Sequence, residues 1–271
     1  MPHMLILGMG YSATRLGQRL RAEGWAVTGV RRAASPGIIA FDDAPLVRGA
    51  IAAATHILSS APPEGEGDPV LDRYGADISA SPARWIGYLS STGVYGDAAG
   101  AWVDESSPVG SGRRAARTRA DLGWGTLRAD VRRFRLPGIY GPGRSALDRV
   151  AQGRAHRIDM AGQVFSRVHV DDIAGGVIAS FAGPPGVYNL ADDLPCAQNC
   201  VIEAASDLLG RPWPPLVPLA QADLSPVALA FYAENRRVAN GRAKRLLGWR
   251  PAFPTYREGL AACLRAERAG G

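Results

Sequence analysis

Met4-Leu5-Ile6-Leu7-Gly8-Met9-Gly10-Tyr11-Ser12-Ala13 is the stretch on which the reading of this chain turns. Four apolar residues run into a glycine, a second glycine follows two places later, and a small residue stands three places beyond that. Leu16 and Leu20 then share one face of a helix expected over Tyr11–Glu23, and Gly24 stops it. Strand, Gly-x-Gly-x-x-Ala turn and helix, in that order, form a dinucleotide-binding fingerprint. Gly8 permits the tight turn, Gly10 lets backbone approach a pyrophosphate, and Ala13 lets the helix lie close to the strand. Tyr11 and Ser12 open the helix, where unpaired N–H groups and a partial positive charge suit a phosphate.

Outward from there, apolar runs alternate with helix-like segments. Trp25–Val30, Ile38–Phe41, Thr55–Ser60, Trp85–Ser90 and Val131–Leu136 read as further strands, while Pro62–Pro69 and residues 97–112 read as loops. This order predicts an α/β Rossmann fold, a doubly wound parallel sheet with a smaller C-terminal substrate lobe. The expected division is a nucleotide-binding domain over 1–165, with 166–186 returning to it, and a lobe over 187–271. Helices are expected over Cys196–Leu209, Ser225–Asn235 and Arg257–Ala266.

The second strand ends in Arg31-Arg32. Sites that hold the ribose hydroxyls of NAD place a carboxylate there, whereas guanidinium groups suit a 2′-phosphate. The expected cofactor is therefore NADP(H) rather than NAD. Asp42, just past the third strand, is a candidate for the adenine amino group.

The bulk numbers narrow the class. With 271 residues, 46% hydrophobic and 21% charged, the chain can bury a sizeable core. No run reaches the roughly 20 apolar residues of a membrane span, and the glycine-broken start does not read as a signal peptide. The expectation is a cytoplasmic protein. A net charge of +6 invites nucleic acid, but the arginines are dispersed and Arg113, Arg114, Arg117 and Arg119 have no interleaved aromatics, which argues against it. Cys196, Cys200 and Cys263 lack the second pair of a zinc site, so no metal is expected. A homo-oligomer stays open.

Four later segments carry a family resemblance. Tyr88-Leu89-Ser90-Ser91-Thr92-Gly93-Val94-Tyr95-Gly96, Arg135-Leu136-Pro137-Gly138-Ile139-Tyr140-Gly141-Pro142, His169-Val170-Asp171-Asp172 and Tyr188-Asn189-Leu190-Ala191-Asp192 together resemble the extended short-chain dehydrogenases, the NAD-dependent epimerase/dehydratase family. The resemblance implies that Ser91 orients the reacting hydroxyl or carbonyl, with Thr92 beside it; Tyr95, Tyr140, His156 and His169 are further catalytic candidates by their chemistry. It also implies a dinucleotide lying along Ser60, Ala61, Pro62, Ser90, Pro137 and Gly138. Arg144, Arg167 and His169 are candidates for an anionic substrate such as a nucleotide sugar.

One departure qualifies the resemblance. The family's tyrosine and lysine, four residues apart on the helix after the serine loop, align with Arg113 and Arg117. No tyrosine lies between Tyr95 and Tyr140, and Lys244 is the only lysine. Arginine stays protonated and cannot shuttle a proton near neutrality. Two readings follow: an atypical oxidoreductase or epimerase with Arg117 at the cofactor, or a dinucleotide-binding sensor without turnover.

Overall fold

The computed structural model describes residues 1–110, 115–222 and 224–270. The first half is a run of alternating strands and helices: β1 (His3–Leu7), α1 (Tyr11–Ala22), β2 (Ala26–Arg31), β3 (Ile38–Ala40), α2 (Ala44–Ala53), β4 (His56–Ser59), α3 (Pro69–Ser79) and β5 (Trp85–Ser91). The short β6 (Trp102–Val103), then α4 (Ala115–Leu127) and β7 (Val131–Leu136), continue it. Seven strands make one parallel sheet in the order β11-β7-β5-β4-β1-β2-β3, with β11 (Gly186–Asn189) at one edge. The strand order reverses between β1 and β4, so their carboxyl ends open a crevice.

The sequence accounts for this locally. Along β1, Met4 and Ile6 enter the core on one face of the sheet while Leu5 and Leu7 enter the core on the other, all fully buried. Helix α1 presses Ala13, Leu16, Gly17 and Leu20 inward and has no side-chain cap at Gly10. By contrast, Asp43 and Asp68 cap α2 and α3 through their carboxylates, each followed by a proline in the first turn. The sequence reading did not anticipate α2, α3 or β11. Helix α2 buries only Val47 and Ile51, and β11 is four residues long behind Pro184-Pro185.

The second half interleaves sheet and lobe. It runs through β8 (Gly138–Tyr140), α5 (Ala146–Ala151), β9 (Arg157–Asp159), β10 (Arg167–His169), α6 (Val170–Ala179), α7 (Gln198–Leu208), β12 (Leu216–Pro218), α8 (Pro226–Tyr232), β13 (Arg237–Val238), α9 (Gly241–Leu247) and α10 (Tyr256–Gly270). A separate apolar cluster joins Leu147 and Val150 of α5 to Val201 and Ile202 of α7 and Leu260 and Cys263 of α10. This cluster stands over the carboxyl ends of the strands through β8 and β10, which pair in parallel.

A buried ionic knot fastens β5, α4 and β7. The fully buried Asp121 carboxylate accepts from Arg135 Nη2 at 2.8 Å and Nε at 3.2 Å, from Arg133 Nη1 at 2.9 Å and from Ser90 Oγ at 2.6 Å. Arg135 also donates to the Tyr95 hydroxyl at 3.0 Å, and that hydroxyl donates to Asn189 Oδ1 at 2.8 Å. Removing one partner of such a set strands the remaining charges away from water. Asp121→Ala is expected to lower unfolding stability by about 3–5 kcal/mol, read as a fall in the urea midpoint. An unchanged midpoint would show that the knot is not holding the strands together.

Candidate functional site

The turn after β1 is built for close backbone approach. Gly8 has φ +93°, and a Cβ there would stand 2.5 Å from the Ala61 nitrogen at the end of β4. Only glycine fits. Gly10 differs: its conformation is ordinary, and an added Cβ would meet nothing nearer than the Gly8 oxygen at 3.9 Å. The space beside Gly10 at the uncapped start of α1 is therefore open. Tyr11 fastens this turn to the loop after β8, its hydroxyl donating to the Pro142 carbonyl at 3.0 Å, with Arg144 5.6 Å over its ring. Burial pushes the Tyr11 phenol up to about 12, so it remains a donor.

The two arginines after β2 part company. Arg31 is exposed but hooked, its Nε donating to the Met9 carbonyl at 2.5 Å, so that its head lies against the glycine turn. Arg32 points to Glu64 in a surface ion pair. Asp42 pairs with Arg73 on the surface at the end of β3.

A cavity of about 940 Å³ runs over the carboxyl ends of the strands. Its first part is lined by Ser12, Ser60, Pro62, Ser90, Ser91, Thr92, Arg117, Pro137 and Gly138, most of the residues expected along a dinucleotide. Ser91 sits at the mouth of the Thr92–Tyr95 turn, where its Oγ accepts the Gly93 N–H at 3.1 Å. Its own proton has that cavity to point into. The Arg117 charge lies close to the buried Tyr88 phenol and partly offsets the upward push of burial on it. Arg113, expected at the tyrosine position, lies outside the described residues. Lys244 pairs with Asp193.

Two expected residues are placed elsewhere. Tyr95 does not line the cavity; its hydroxyl is engaged by Arg135 and Asn189, and burial raises its pKa. It holds the serine turn from behind. His169 is not a cavity residue either. It caps α6, its Nδ1 accepting the Asp171 N–H at 3.2 Å, and it packs between Tyr140 and Phe253. Burial lowers its pKa to about 4, so the ring is neutral. The next two acids are structural as well: Asp171 pairs with Arg15 of α1, and Asp172 accepts the Ala252 and Phe253 N–H groups at 2.6 and 3.1 Å.

The far part of the cavity was legible in the sequence only through Arg144, Arg167 and His156. Arg149, Arg154, Arg236 and Tyr232 join them there. Among the described residues, six arginines around the cavity face two carboxylates, Asp148 and Glu234. The one trace in the sequence is the capping box Ser145-x-x-Asp148, which starts α5 and sets Arg149 on its first turns. Behind Arg167 lies Asp192, buried, with the Leu194 N–H near it but outside hydrogen-bond geometry. Burial first, against the opposing pull of Arg167, raises its pKa to about 7.

Two outcomes follow from this geometry. Gly8→Ala should cripple folding, whereas Gly10→Val should leave the circular dichroism spectrum intact and abolish dinucleotide binding; binding that survived in Gly10→Val would place the ligand elsewhere. For Asp192 the sign is that of a raised carboxyl. Its penalty on the fold is absent below the ordinary value of 3.8, grows as pH rises toward about 7, and is constant above. Asp192→Asn should therefore match the unmodified protein near pH 4 and exceed it in urea midpoint increasingly up to pH 7. A gap that is the same at every pH would refute the assignment.

No family model matches the chain. Among curated proteins, 3-diazoavenalumate denitrifying reductase from a Streptomyces species is 32% identical over 134 residues, 45% of this chain and 43% of that protein. The chain thus matches less than half the length of that relative. Among solved structures, a functionally unknown conserved protein from Silicibacter pomeroyi DSS is 40% identical over 98% of this chain and 99% of its own, with a TM-score of 0.87. The human epimerase family protein SDR39U1 with NADPH has a TM-score of 0.75 at 20% identity, covering 97% of this chain and 99% of that one. MoeE5 with UDP-glucuronic acid and NAD has a TM-score of 0.77 at 19% identity, covering 99% of this chain and all of that one. The chain belongs to the family of the Silicibacter protein, and its fold is that of the extended short-chain dehydrogenases of the NAD-dependent epimerase/dehydratase type.

Proposed function

We propose that this protein is an NADP(H)-dependent oxidoreductase or epimerase of an anionic metabolite that works without the usual tyrosine and lysine. The observation that carries the proposal is a single cavity joining Ser12 in the first turn of α1, Ser91 and Arg117 to a cluster of arginines. The neighbours in structure are described with NAD or NADPH, and MoeE5 with a nucleotide sugar; a nucleotide sugar is accordingly one candidate substrate. The curated relative's name describes a reductase, which favours reduction over epimerisation.

The residues divide the work. The open α1 terminus beside Gly10 takes the pyrophosphate, and Arg31, held by the Met9 carbonyl, offers its outer nitrogens to a 2′-phosphate. A bound nicotinamide supplies the hydride chemistry. Ser91 donates its proton to a substrate oxygen and fixes its orientation. Arg117 stays charged, holding ribose hydroxyls or a developing negative oxygen, and takes no part in proton transfer. The nearby Tyr88 is buried and its pKa raised, so it does not replace the missing phenol.

Arg31→Glu should weaken NADPH binding tenfold or more, the loss of a charge-assisted contact of about 1.5–3 kcal/mol, and spare NADH. Titration calorimetry reads both, and equal or tighter NADH binding by the unmodified protein would refute the NADP(H) preference. In a reductase screen over nucleotide sugars and small aldehydes, Ser91→Ala should lower turnover and leave NADPH affinity nearly unchanged. Tight NADPH binding with no turnover across the panel would favour the sensor reading.

A further inference from the structure

The six cavity arginines are not equivalent. Arg236 is ion-paired with Glu234 and also donates to the Gly96 carbonyl. Arg154 donates to Gln152, Arg144 lies over Tyr11, and Arg117 lies by Tyr88. Arg149 has no hydrogen bond or ion pair to any described residue; it lines the cavity yet stays open to solvent, with Tyr232, Arg167 and Asp148 near it. Arg167 is buried, and its Nη1 makes do with the Cys196 sulfur at 2.9 Å, with no carboxylate in ion-pair range among the described residues. Two guanidinium groups thus line one recess with no carboxylate in ion-pair range among the described residues, Asp148 acting on Arg149 and the buried Asp192 on Arg167 only from farther off. The two like charges repel, and a ligand anion between them would relieve that repulsion.

The surroundings restrict what carries that anion. Phe165 and Tyr232 meet edge to face at 5.2 Å, and with Ile202 and Leu260 they give the recess an apolar side. The backbone of β9, which lines the recess at Ile158, is already taken. At Ile158 of β9 the N–H donates to Asn199 Oδ1 at 2.8 Å, and the carbonyl accepts from Asn199 Nδ2 at 2.9 Å. The side-chain amide pairs with the strand as a base edge would.

We infer that Arg149 and Arg167 form an oxyanion subsite for a compact substrate whose carboxylate or phosphoryl group is borne on an apolar or aromatic body, with no nucleotide moiety in this part of the cavity. The inference rests on reading the other end of the same cavity as the dinucleotide site, and it narrows the substrate class left open by that reading. Cavity anions here are met by planar, fork-shaped donors suited to two-oxygen recognition.

The test is calorimetric titration of 4-hydroxycinnamate, phenyl phosphate and UDP into the full protein, with and without NADPH. Arg149→Ala and Arg149→Lys are compared with the unmodified protein. The expected result is binding of one or both small anions, weakened at least about tenfold in Arg149→Ala and partly recovered in Arg149→Lys. The stronger of the two identifies carboxylate or phosphoryl as the natural group. Three results would overturn the inference: neither small anion bound at millimolar concentration, binding indifferent to Arg149→Ala, or UDP bound more tightly than both. NADPH affinity, recorded separately in the same proteins, should be the same in all three. Its absence throughout would defeat the dinucleotide reading and leave the anion result to stand on its own.

Discussion

A carboxylate with no solvent exposure, Asp121, sits beneath the candidate site and compensates two arginines. Arginine is an expensive residue to place on an interior parallel strand, and β7 carries Arg133 and Arg135. Coulomb attraction in a medium of low polarizability offsets their desolvation only because each nitrogen that faces Asp121 has a well-placed oxygen. The consequence reaches the cavity. Ser90, Tyr95 and Asn189 take their positions from the same knot, so the turn bearing Ser91 is set by charge balance behind it rather than by contacts in front. A rigid support of this kind is what a small hydroxyl needs if it is to orient a reacting atom.

The central sheet was readable because its inner strands are buried on both faces. Runs such as Met4–Leu7, His56–Ser59 and Trp85–Ser90 leave little alternation for a solvent face, and each is closed by a glycine, proline or serine turn. Helix α1 was equally plain, since Leu16 and Leu20 mark its inner face. β11 escaped notice for the opposite reason: a four-residue edge strand carries too few side chains for periodicity to register. Tyr95 and His169 were legible as residues of conspicuous chemistry but not as to direction. Tyr95 stands four places from Ser91 in sequence, yet its ring crosses to Asn189. His169 turns inward because an imidazole at a helix start is well placed to accept the next-but-one N–H. Arg149 was hidden in a chain whose basic residues are nearly all arginine, where composition cannot separate a guanidinium on the outer surface from one that lines a cavity.

The cavity itself shows how one fold can keep a cofactor end while its far end diverges. The glycine turn is constrained by backbone sterics, since Gly8 must pass within contact distance of Ala61, and few alternatives satisfy that closeness. The lobe end has no such restriction. Its walls come from α5, α7, α8 and α10, the first, second and last of them held by an apolar cluster of their own, and side chains on them can change without disturbing the sheet.

The segment His169-Val170-Asp171-Asp172 has a further consequence for how the chain reaches this structure. Asp171 grips Arg15 near the beginning of the chain, and Asp172 receives the N–H groups of Ala252 and Phe253 near its end. Trp249, which follows α9, completes the same core that α1 fills. The two ends of the polypeptide are thus joined through one turn in the middle, which makes them members of a single cooperative unit despite their separation. During synthesis the early strands wait with part of their apolar face uncovered until residues around 250 have emerged, so docking of the C-terminal segment is a late event in folding, and the contacts it makes are long in sequence and slow to close.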